Sequence, residues 1–382
     1  MRKLCLILAL VLALPVLPLP AGAVEPEAAG KSALLMDAAT GTVLYEKNAH
    51  EKLAPASVTK IMTLLLIMEA IDDRMIRWED TVTASESAAA KGGSQIYLKV
   101  GETMSVTDMV KSIAVSSAND CACAMAEHLA GSEEAFVARM NERARELGMN
   151  DTHFVNCTGL DDGPEAENHK TSAWDIALMS RELLINHPDI KRFTTIWMDT
   201  VRGGEFGLSN TNKLIRFYSG ATGLKTGFTS SAGYCLSATA EREGMELIAV
   251  VMGAETSQIR NAACKQLLDY GFANYAVVVP EMGQEASVPV RLGAAPSVRL
   301  VPGEEPKLLI DKALRSGIIT DLSLEAEITA PVAPGQQLGS LTIRSGEQVL
   351  ATVPLVAETE VPRLSLWQLW TLVLRKIAMA PA

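Results

Sequence analysis

The sequence predicts an α+β domain, in which helices pack on an antiparallel sheet, followed by a small all-β domain and a C-terminal amphipathic helix. Apolar segments with helical spacing fill the middle of residues 24–275, and strand-like segments joined by hairpin turns flank them at both ends. After residue 275, prolines separate short apolar runs, a pattern typical of strands. From residue 366 onward, apolar residues return with a helical period.

The chain of 382 residues is longer than one average domain, and its composition divides it into four segments. We assign residues 1–23 to a signal peptide, 24–275 to the α+β domain, 276–360 to the β-rich domain and 361–382 to the terminal helix. Hydrophobic residues make up 48% of the chain, so large cores can form. The net charge of -11 argues against nucleic acid as a partner, because phosphate binding requires a basic surface.

The N-terminus has the pattern of a secretory signal. Arg2 and Lys3 precede the apolar run 4–14, and the small residues 21–23 suit signal-peptidase cleavage before Val24. An uncleaved membrane anchor is the alternative, but prolines interrupt the apolar run before it reaches spanning length. We therefore expect the mature protein to be secreted.

The cysteines indicate neither a disulfide framework nor a metal site. One of the six lies in the signal peptide, and the remaining odd number cannot be fully paired. No histidine cluster accompanies them, so the spacing lacks a zinc pattern. We expect the cysteines of the mature protein to be small buried thiols; they are Cys121, Cys123, Cys157, Cys235 and Cys264. We expect no metal or other cofactor.

The first chemical candidate stands where a predicted hairpin, with strands at 32–36 and 42–45, leads into a helix. The helix, over residues 61–70, is apolar on nearly every side and should lie in a core. Ser57 and Lys60 precede it with a spacing of three residues, which places both side chains on one face. Burial and the helix dipole disfavour a charged ammonium there, so a neutral Lys60 could accept a proton from Ser57. A helix cap with a surface lysine is the alternative.

A second polar cluster, Ser-Ser-Ala-Asn-Asp at 116–120, separates two predicted helices at 105–115 and 121–129. Ser117 and Asn119 could belong to an ordinary interhelical turn or to the rim of a cleft. The other helices predicted in this domain are one capped by Ser132 that ends before Gly148, which looks structural, and those at 172–185 and 257–272. His169 is expected to be a capping or loop residue. The strands predicted after residue 193 are 194–202, 223–229, 235–241 and 245–252, then 287–292, 298–301, 323–328, 339–344 and 349–355 in the β-rich domain.

The last segment has one apolar helical face, which includes Leu366, Trp367 and Trp370. Its apolar run is too short to span a bilayer. Two tryptophans and flanking basic residues are typical of a helix that lies in a membrane interface. The alternative is a helix docked on its own domain.

Three short motifs occur in a fixed order: Ser57-Val-Thr-Lys60, Ser117-Ala-Asn119 and Lys225-Thr-Gly227. Each is weak alone, but together they are the signature of penicillin-binding proteins and β-lactamases. Over nearly its whole length the chain resembles the low-molecular-mass penicillin-binding proteins, the serine-type D-alanyl-D-alanine carboxypeptidases of peptidase family S11. The segment Gly223-Leu-Lys-Thr-Gly-Phe-Thr229 looks most like the enzymes of endospore-forming Gram-positive bacteria. The resemblance implies a penicillin-binding/β-lactamase-like catalytic domain.

The resemblance and the chemistry of the residues together imply specific roles. Ser57 would attack the carbonyl between two D-alanines, with Lys60 as its base. Ser117 and Asn119 would form the opposite wall, relay a proton to the leaving amine and bind the peptide stem. The remaining predicted site residues would serve substrate binding. Lys225 would set a positive potential, and the Thr226 hydroxyl would bind the terminal carboxylate. Gly227 would permit close approach of the substrate, and the backbone N–H of Phe228 would complete an oxyanion hole with that of Ser57.

The implied function is removal of the terminal D-alanine from stem pentapeptides of peptidoglycan during cell-wall maturation, with β-lactam antibiotics as inhibitors. The protein would act on the outer face of the cytoplasmic membrane, to whose surface the C-terminal helix would bind. A secreted serine β-lactamase and a non-catalytic peptidoglycan-binding protein are the alternatives. Phe228 stands where part of the family has a histidine, which leaves open any side-chain role in hydrolysis of the acyl-enzyme.

Overall fold

The computed structural model describes residues 26–282, 285–304 and 307–378. The predicted signal peptide, residues 1–23, lies outside the described residues. Within these ranges, no helix has the length and apolar character needed to cross a membrane.

The α-helices follow the sequence pattern closely where apolar residues recur with a helical period. They are α1 Lys60–Asp72, α2 Glu86–Ala89, α3 Val106–Ser116, α4 Asn119–Ala130, α5 Glu133–Glu146, α6 Ala173–Asn186, α7 Lys191–Thr194, α8 Leu214–Phe217, α9 Ser257–Asn274 and α10 Leu366–Ala378. Several begin at a serine or threonine whose side chain accepts a hydrogen bond from a backbone N–H of the first turn, as Ser105, Ser132, Ser172 and Thr256 do.

The strands of the catalytic domain come from both ends of its sequence. They are β1 Ser32–Asp37, β2 Val43–Lys47, β3 Thr81–Thr83, β4 Thr103–Ser105, β5 Met198–Val201, β6 Phe206–Ser209, β7 Ala221–Thr229, β8 Gly233–Arg242 and β9 Met245–Ala254. Five of them form one antiparallel sheet in the order β2-β1-β9-β8-β7. This arrangement places β7, with the third motif, at an edge of the sheet.

Both faces of this sheet are covered, which explains the apolar run of its central strand β9. Ile248 and Val250 belong to the large core that contains α1, whereas Leu247 and Ala249 pack in a second core against α9. Alternate residues of a strand point to opposite faces of the sheet. When both faces are buried, both sets of residues are apolar, and the usual alternation of polar and apolar residues is lost. The α+β class with an antiparallel sheet is confirmed.

The C-terminal domain consists of strands around its own apolar core. Its strands are β10 Tyr275–Val278, β11 Ala286–Arg291, β12 Ser297–Pro302, β13 Leu308–Asp311, β14 Ile318–Leu324, β15 Ile328–Thr329, β16 Gln337–Ser345 and β17 Gln348–Ala357. Six strands form a sheet in the order β14-β16-β17-β12-β11-β15, and β10 pairs with β13. The predicted all-β domain is confirmed. On α10 the side chains of Leu366, Trp367 and Trp370 are exposed.

Two predicted strands are wrong. At 194–202, the helix α7 extends to Thr194, and only Met198–Val201 is extended. The β-branched residues there favour a strand, but the Thr195 hydroxyl donates to the Lys191 carbonyl and continues the helical turn. The residues predicted as a strand at 323–328 are divided between two strands: β14 ends at Leu324, residues 325–327 are exposed and outside any strand, and β15 begins at Ile328.

The five cysteines named above are all buried and unpaired. This outcome agrees with the prediction of small buried thiols.

Candidate active site

The hydroxyl of Ser57 lies on a short 3₁₀ turn, Ala56–Thr59, that leads directly into α1. Ala56 has φ of 49°, in the left-handed region that residues with a side chain rarely adopt. Such strained backbone persists only where the surroundings impose it, and it is concentrated at functional sites. The turn is therefore held in place by its neighbours rather than by its own conformational preference.

Lys60 is the first residue of α1 and is completely buried. Its Nζ atom lies 2.8 Å from Ser57 Oγ and 2.7 Å from the carbonyl oxygen of Thr158. Burial lowers the pKa of Lys60 to about 7, although the nearby Cys157 and Asp120 oppose that shift. A substantial fraction of this amine is neutral near pH 7 and can accept a proton.

The opposite wall is formed where α3 ends and α4 begins. Ser117 ends α3 in a left-handed conformation with φ of 63°, and its Oγ accepts a hydrogen bond of 2.9 Å from Lys225 Nζ. Asn119 Nδ2 donates to the carbonyl of Gly92 at 2.7 Å. Its Oδ1 is buried and has no hydrogen-bond partner among the described residues. A buried acceptor without a partner is uncommon, and here it is available to a donor that enters the cleft.

The loop that supports Asn119 is held by a buried carboxylate. Asp120 accepts hydrogen bonds from the backbone N–H groups of Ile96 and Leu98, at 3.1 and 3.0 Å. The backbone N–H of Asn119 in turn donates to the Ser94 carbonyl at 2.7 Å. From the sequence, Asp120 is expected only to be part of an interhelical turn; its place next to the second motif is the one indication of this role.

The third wall is the edge strand β7. Lys225 is buried, and burial together with the charges of Lys60 and Arg260 lowers its pKa well below the usual value. Its Nζ donates to Ser117 Oγ and to the Thr226 carbonyl, both at 2.9 Å. The Thr226 hydroxyl lies 2.7 Å from that of Thr211. A negatively charged ligand would favour the protonated forms of these neighbouring basic side chains, so this region suits an anion.

Gly227 has a structural requirement that the sequence did not reveal. A Cβ atom at this position would lie 2.7 Å from the Pro55 carbonyl oxygen and 3.0 Å from the Ser57 nitrogen. The resemblance to the family implies only that this glycine permits the approach of a substrate. The structure shows that it already permits close packing of β7 against the turn that holds Ser57.

Phe228 follows on β7, and its side chain is 53% exposed. Its ring stacks on that of Tyr234 with 4.3 Å between centroids, and the Arg260 guanidinium lies 5.9 Å from the Tyr234 ring. Arg260 belongs to α9. The structure places it, buried, behind this aromatic pair.

The structure thus connects the predicted site residues across the three motifs. Ser57 contacts Lys60, Lys225 contacts Ser117, and Gly227 packs against the Ser57 turn. Thr158 was missed, because it acts through a backbone carbonyl, which any residue type provides. A serine beside an unpaired buried lysine, faced by a second serine and an edge strand, defines the class of serine acyl-transfer enzymes that react with penicillin.

Comparison with known proteins identifies the family within this class. Residues 20–256 match the peptidase S11 family of D-alanyl-D-alanine carboxypeptidases, and residues 278–363 match the C-terminal domain of penicillin-binding protein 5. The chain belongs to the S11 D-alanyl-D-alanine carboxypeptidase family.

Individual relatives agree with this assignment. The D-alanyl-D-alanine carboxypeptidase DacF of Bacillus subtilis is 43% identical over 87% of this chain and 86% of its own length. Penicillin-binding protein 5 of Haemophilus influenzae superposes with a TM-score of 0.75 at 30% identity, covering 90% of this chain and all (100%) of that one. Penicillin-binding protein D2 of Listeria monocytogenes, in its ampicillin-bound form, superposes with a TM-score of 0.59 at 32% identity, covering 65% and 99%.

Proposed function

We propose that this D-alanyl-D-alanine carboxypeptidase removes the terminal D-alanine of peptidoglycan stem pentapeptides through an acyl-enzyme on Ser57. Family membership supports the reaction class. The observation that supports the residue assignment is the 2.8 Å contact between Lys60 Nζ and Ser57 Oγ inside a fully buried environment. No histidine or carboxylate is within hydrogen-bond distance of Ser57 Oγ in the described chain, so lysine is the available base.

Acylation begins when neutral Lys60 takes the proton of Ser57 Oγ. The oxygen attacks the carbonyl carbon between the two D-alanines, and the Oγ–C bond forms while the carbonyl becomes an oxyanion. Backbone N–H groups of Ser57 and Phe228 stabilise that oxyanion. The C–N bond then breaks, the leaving amine receives a proton through Ser117, and D-alanine departs.

Ser117 suits this relay because of its hydrogen bond to Lys225. The lysine donates to Ser117 Oγ, which leaves the serine's own hydroxyl hydrogen free to point into the cleft. In the second half-reaction, water attacks the acyl carbon and releases the shortened stem and free Ser57. No carboxylate comparable to the deacylating glutamate of many β-lactamases adjoins Ser57 in the described chain, so the penicillin adduct should persist.

The substrate would bind along the outer edge of β7. A terminal edge strand presents unpaired backbone groups to which an extended peptide can add as a further strand. Lys225 and the Thr226 hydroxyl would bind the terminal carboxylate, and the unpartnered Asn119 Oδ1 would accept a hydrogen bond from a stem amide.

Incubation with benzylpenicillin followed by mass spectrometry tests this proposal. We expect one stable penicilloyl group on the peptide that contains Ser57, and none on the Ser57→Ala variant. Wild-type protein should also release D-alanine from a stem pentapeptide. Rapid release of hydrolysed drug would instead identify a β-lactamase, and absence of any adduct would exclude the acyl-enzyme.

We further propose that the protein is secreted, and that α10 attaches it to the outer surface of the cytoplasmic membrane. The exposed fractions of Leu366, Trp367 and Trp370 are 88%, 71% and 58%, and the two indoles stack on each other. Exposed tryptophans on an amphipathic helix favour a membrane interface. Vesicles of anionic phospholipid should sediment the wild type, and Trp367→Ser with Trp370→Ser should remain in solution; equal sedimentation would contradict this attachment.

A further inference from the structure

The peptide group that joins Ala56 to Ser57 is held from its carbonyl side by a chain of buried hydrogen bonds. The Thr59 hydroxyl donates to the Ala56 carbonyl oxygen at 2.8 Å, and Thr59 Oγ1 lies 2.8 Å from His169 Nε2. His169 Nδ1 accepts a hydrogen bond of 3.2 Å from the backbone N–H of Val155. The chain therefore runs from Val155 through His169 and Thr59 to the turn that presents Ser57.

The direction of each hydrogen bond follows from the donors available. Thr59 has one hydroxyl hydrogen, which it donates to Ala56, so its oxygen must accept from His169. Because His169 Nδ1 accepts from Val155, a neutral His169 carries its hydrogen on Nε2, where Thr59 needs it. Burial lowers the pKa of His169 to about 4, which agrees with a neutral ring, and Phe154 fixes the ring edge-on at 5.7 Å between centroids.

The close packing of Gly159 limits movement on the same side. A Cβ atom at Gly159 would lie 1.9 Å from the Ala56 carbonyl oxygen, and its φ of 82° lies in the left-handed region that glycine adopts most readily. Gly159 follows Thr158, whose carbonyl binds Lys60. The Ala56 carbonyl is therefore confined between the Thr59 hydroxyl and the backbone of this loop.

Fixing a carbonyl also fixes the N–H of the same peptide group. The Ala56–Ser57 peptide is trans and planar, so its C=O and N–H point in opposite directions. The Ser57 nitrogen lies on the side of β7, 3.0 Å from where a Cβ of Gly227 would be, and its N–H has no hydrogen-bond partner within the described ranges. An unpaired N–H on the side of β7, where the substrate is proposed to bind, has the properties of an oxyanion donor.

We propose that Thr59 and His169 are positioning residues that orient the Ser57 N–H toward the oxyanion of the acylation transition state. This inference rests on the proposed Ser57 mechanism and adds to it a structural role for a histidine that the sequence placed in a loop. Neither residue contacts the reacting atoms; both act through the Ala56 carbonyl. The strained φ of Ala56 supplies a reason for the support, because an unsupported turn would relax and rotate this peptide.

The test compares Thr59→Val with Thr59→Ser. Valine keeps the branched shape but removes the hydroxyl. We expect kcat for D-alanine release to fall about 10- to 100-fold, with KM nearly unchanged. This fall in kcat is smaller than the one expected for complete loss of an oxyanion donor. A boronic acid that resembles D-alanine forms a tetrahedral adduct on the serine and uses the same donor. Its affinity should fall by a similar factor. Thr59→Ser retains the hydroxyl and should restore most of both losses.

Thr171→Val is the matched control, because Thr171 is a buried threonine whose hydroxyl, among the residues the structure describes, bonds only to that of Thr152, at 2.7 Å. It should lower thermal stability without changing kcat. If Thr59→Val does not fold, His169→Phe provides the same test, since phenylalanine keeps the ring but cannot donate to Thr59. Wild-type kcat and boronate affinity in a folded Thr59→Val or His169→Phe variant would overturn the inference. An inactive wild-type protein would instead refute the proposed function.

Discussion

The floor of the cleft and the region around Glu133 both contain a lysine amine withdrawn from water, and they differ in what faces that amine. Lys60 contacts a hydroxyl and a backbone carbonyl, and has no carboxylate within ion-pair distance in the described part of the chain. Lys91, less deeply buried, forms an ion pair with Glu133. Of these two lysines, Lys60 therefore has no counter-charge among the described residues, whereas Lys91 has one.

Opposite pKa shifts follow from this difference. Burial lowers the pKa of Lys60 to about 7. Burial also disfavours the charge on Lys91, but the hydrogen bond to Glu133, followed by the charges of Cys123, Glu133 and Cys157, raises its pKa overall. A buried lysine without a neighbouring carboxylate can lose and accept a proton near neutral pH, whereas a lysine paired with a carboxylate stays protonated. The counter-charge distinguishes a chemical role from a structural one.

Removal of the unpaired amine should have the largest effect. Lys60→Met should lower the penicillin acylation rate and D-alanine release by about 10³- to 10⁴-fold, because it removes the general base. The free energy of unfolding should change by less than about 1.5 kcal/mol, because removal of the cost of burying the amine offsets loss of its hydrogen bond to the Thr158 carbonyl. Stopped-flow acylation and thermal unfolding measure both. Near-normal acylation would show that Lys60 is not the base.

The pH dependence of acylation should report the same group. In the proposed mechanism neutral Lys60 is the active form, so kcat/KM should rise about tenfold per pH unit up to about pH 7 and then level off. Acylation rates measured with penicillin between pH 5 and 9 give this profile. A rate independent of pH below 7 would contradict a titrating amine at Ser57. Substitutions at Glu133 or Lys91 should not change this pH dependence of acylation.

Glu133→Gln removes the counter-charge in the second region. Glu133 Oε1 also accepts a hydrogen bond from the Cys157 N–H at 3.2 Å, which the amide can retain, so the loss should come mainly from the unpaired Lys91. We expect the unfolding free energy to fall by about 1–3 kcal/mol. Because Glu133 contacts no reacting group, kcat/KM should change by less than about threefold. Denaturant unfolding and D-alanine release test this prediction. A large loss of activity at unchanged stability would show that Glu133 has a chemical rather than a structural role.

The smallest effect is expected for Lys91→Arg. An arginine retains the positive charge opposite Glu133, so activity should be unchanged and stability should shift by less than about 0.5 kcal/mol. The same substitution at Lys60 is the matched control and should abolish activity, because a guanidinium does not deprotonate in proteins. Equal tolerance of arginine at both positions would remove the distinction between the two lysines.

The sequence by itself determined the domain classes, most helices and strands, and the three motifs. Apolar periodicity fixed α1 and β9, because burial selects residue types at regular intervals. It did not determine Lys191–Thr194, where a hydrogen bond within the turn outweighed strand propensity. Local patterns fail where a contact to one particular neighbour decides the conformation.

Only the tertiary structure decided whether a buried lysine meets a carboxylate and what holds the proposed nucleophile. Sequence could suggest a buried Lys60, but the Thr158 carbonyl that binds it lies 98 residues away and leaves no mark on residue type. The glycine at 227 and the histidine at 169 were visible in the sequence without their reasons. Their reasons are a close backbone approach and a hydrogen bond across the fold, and such contacts exist only once distant segments pack together.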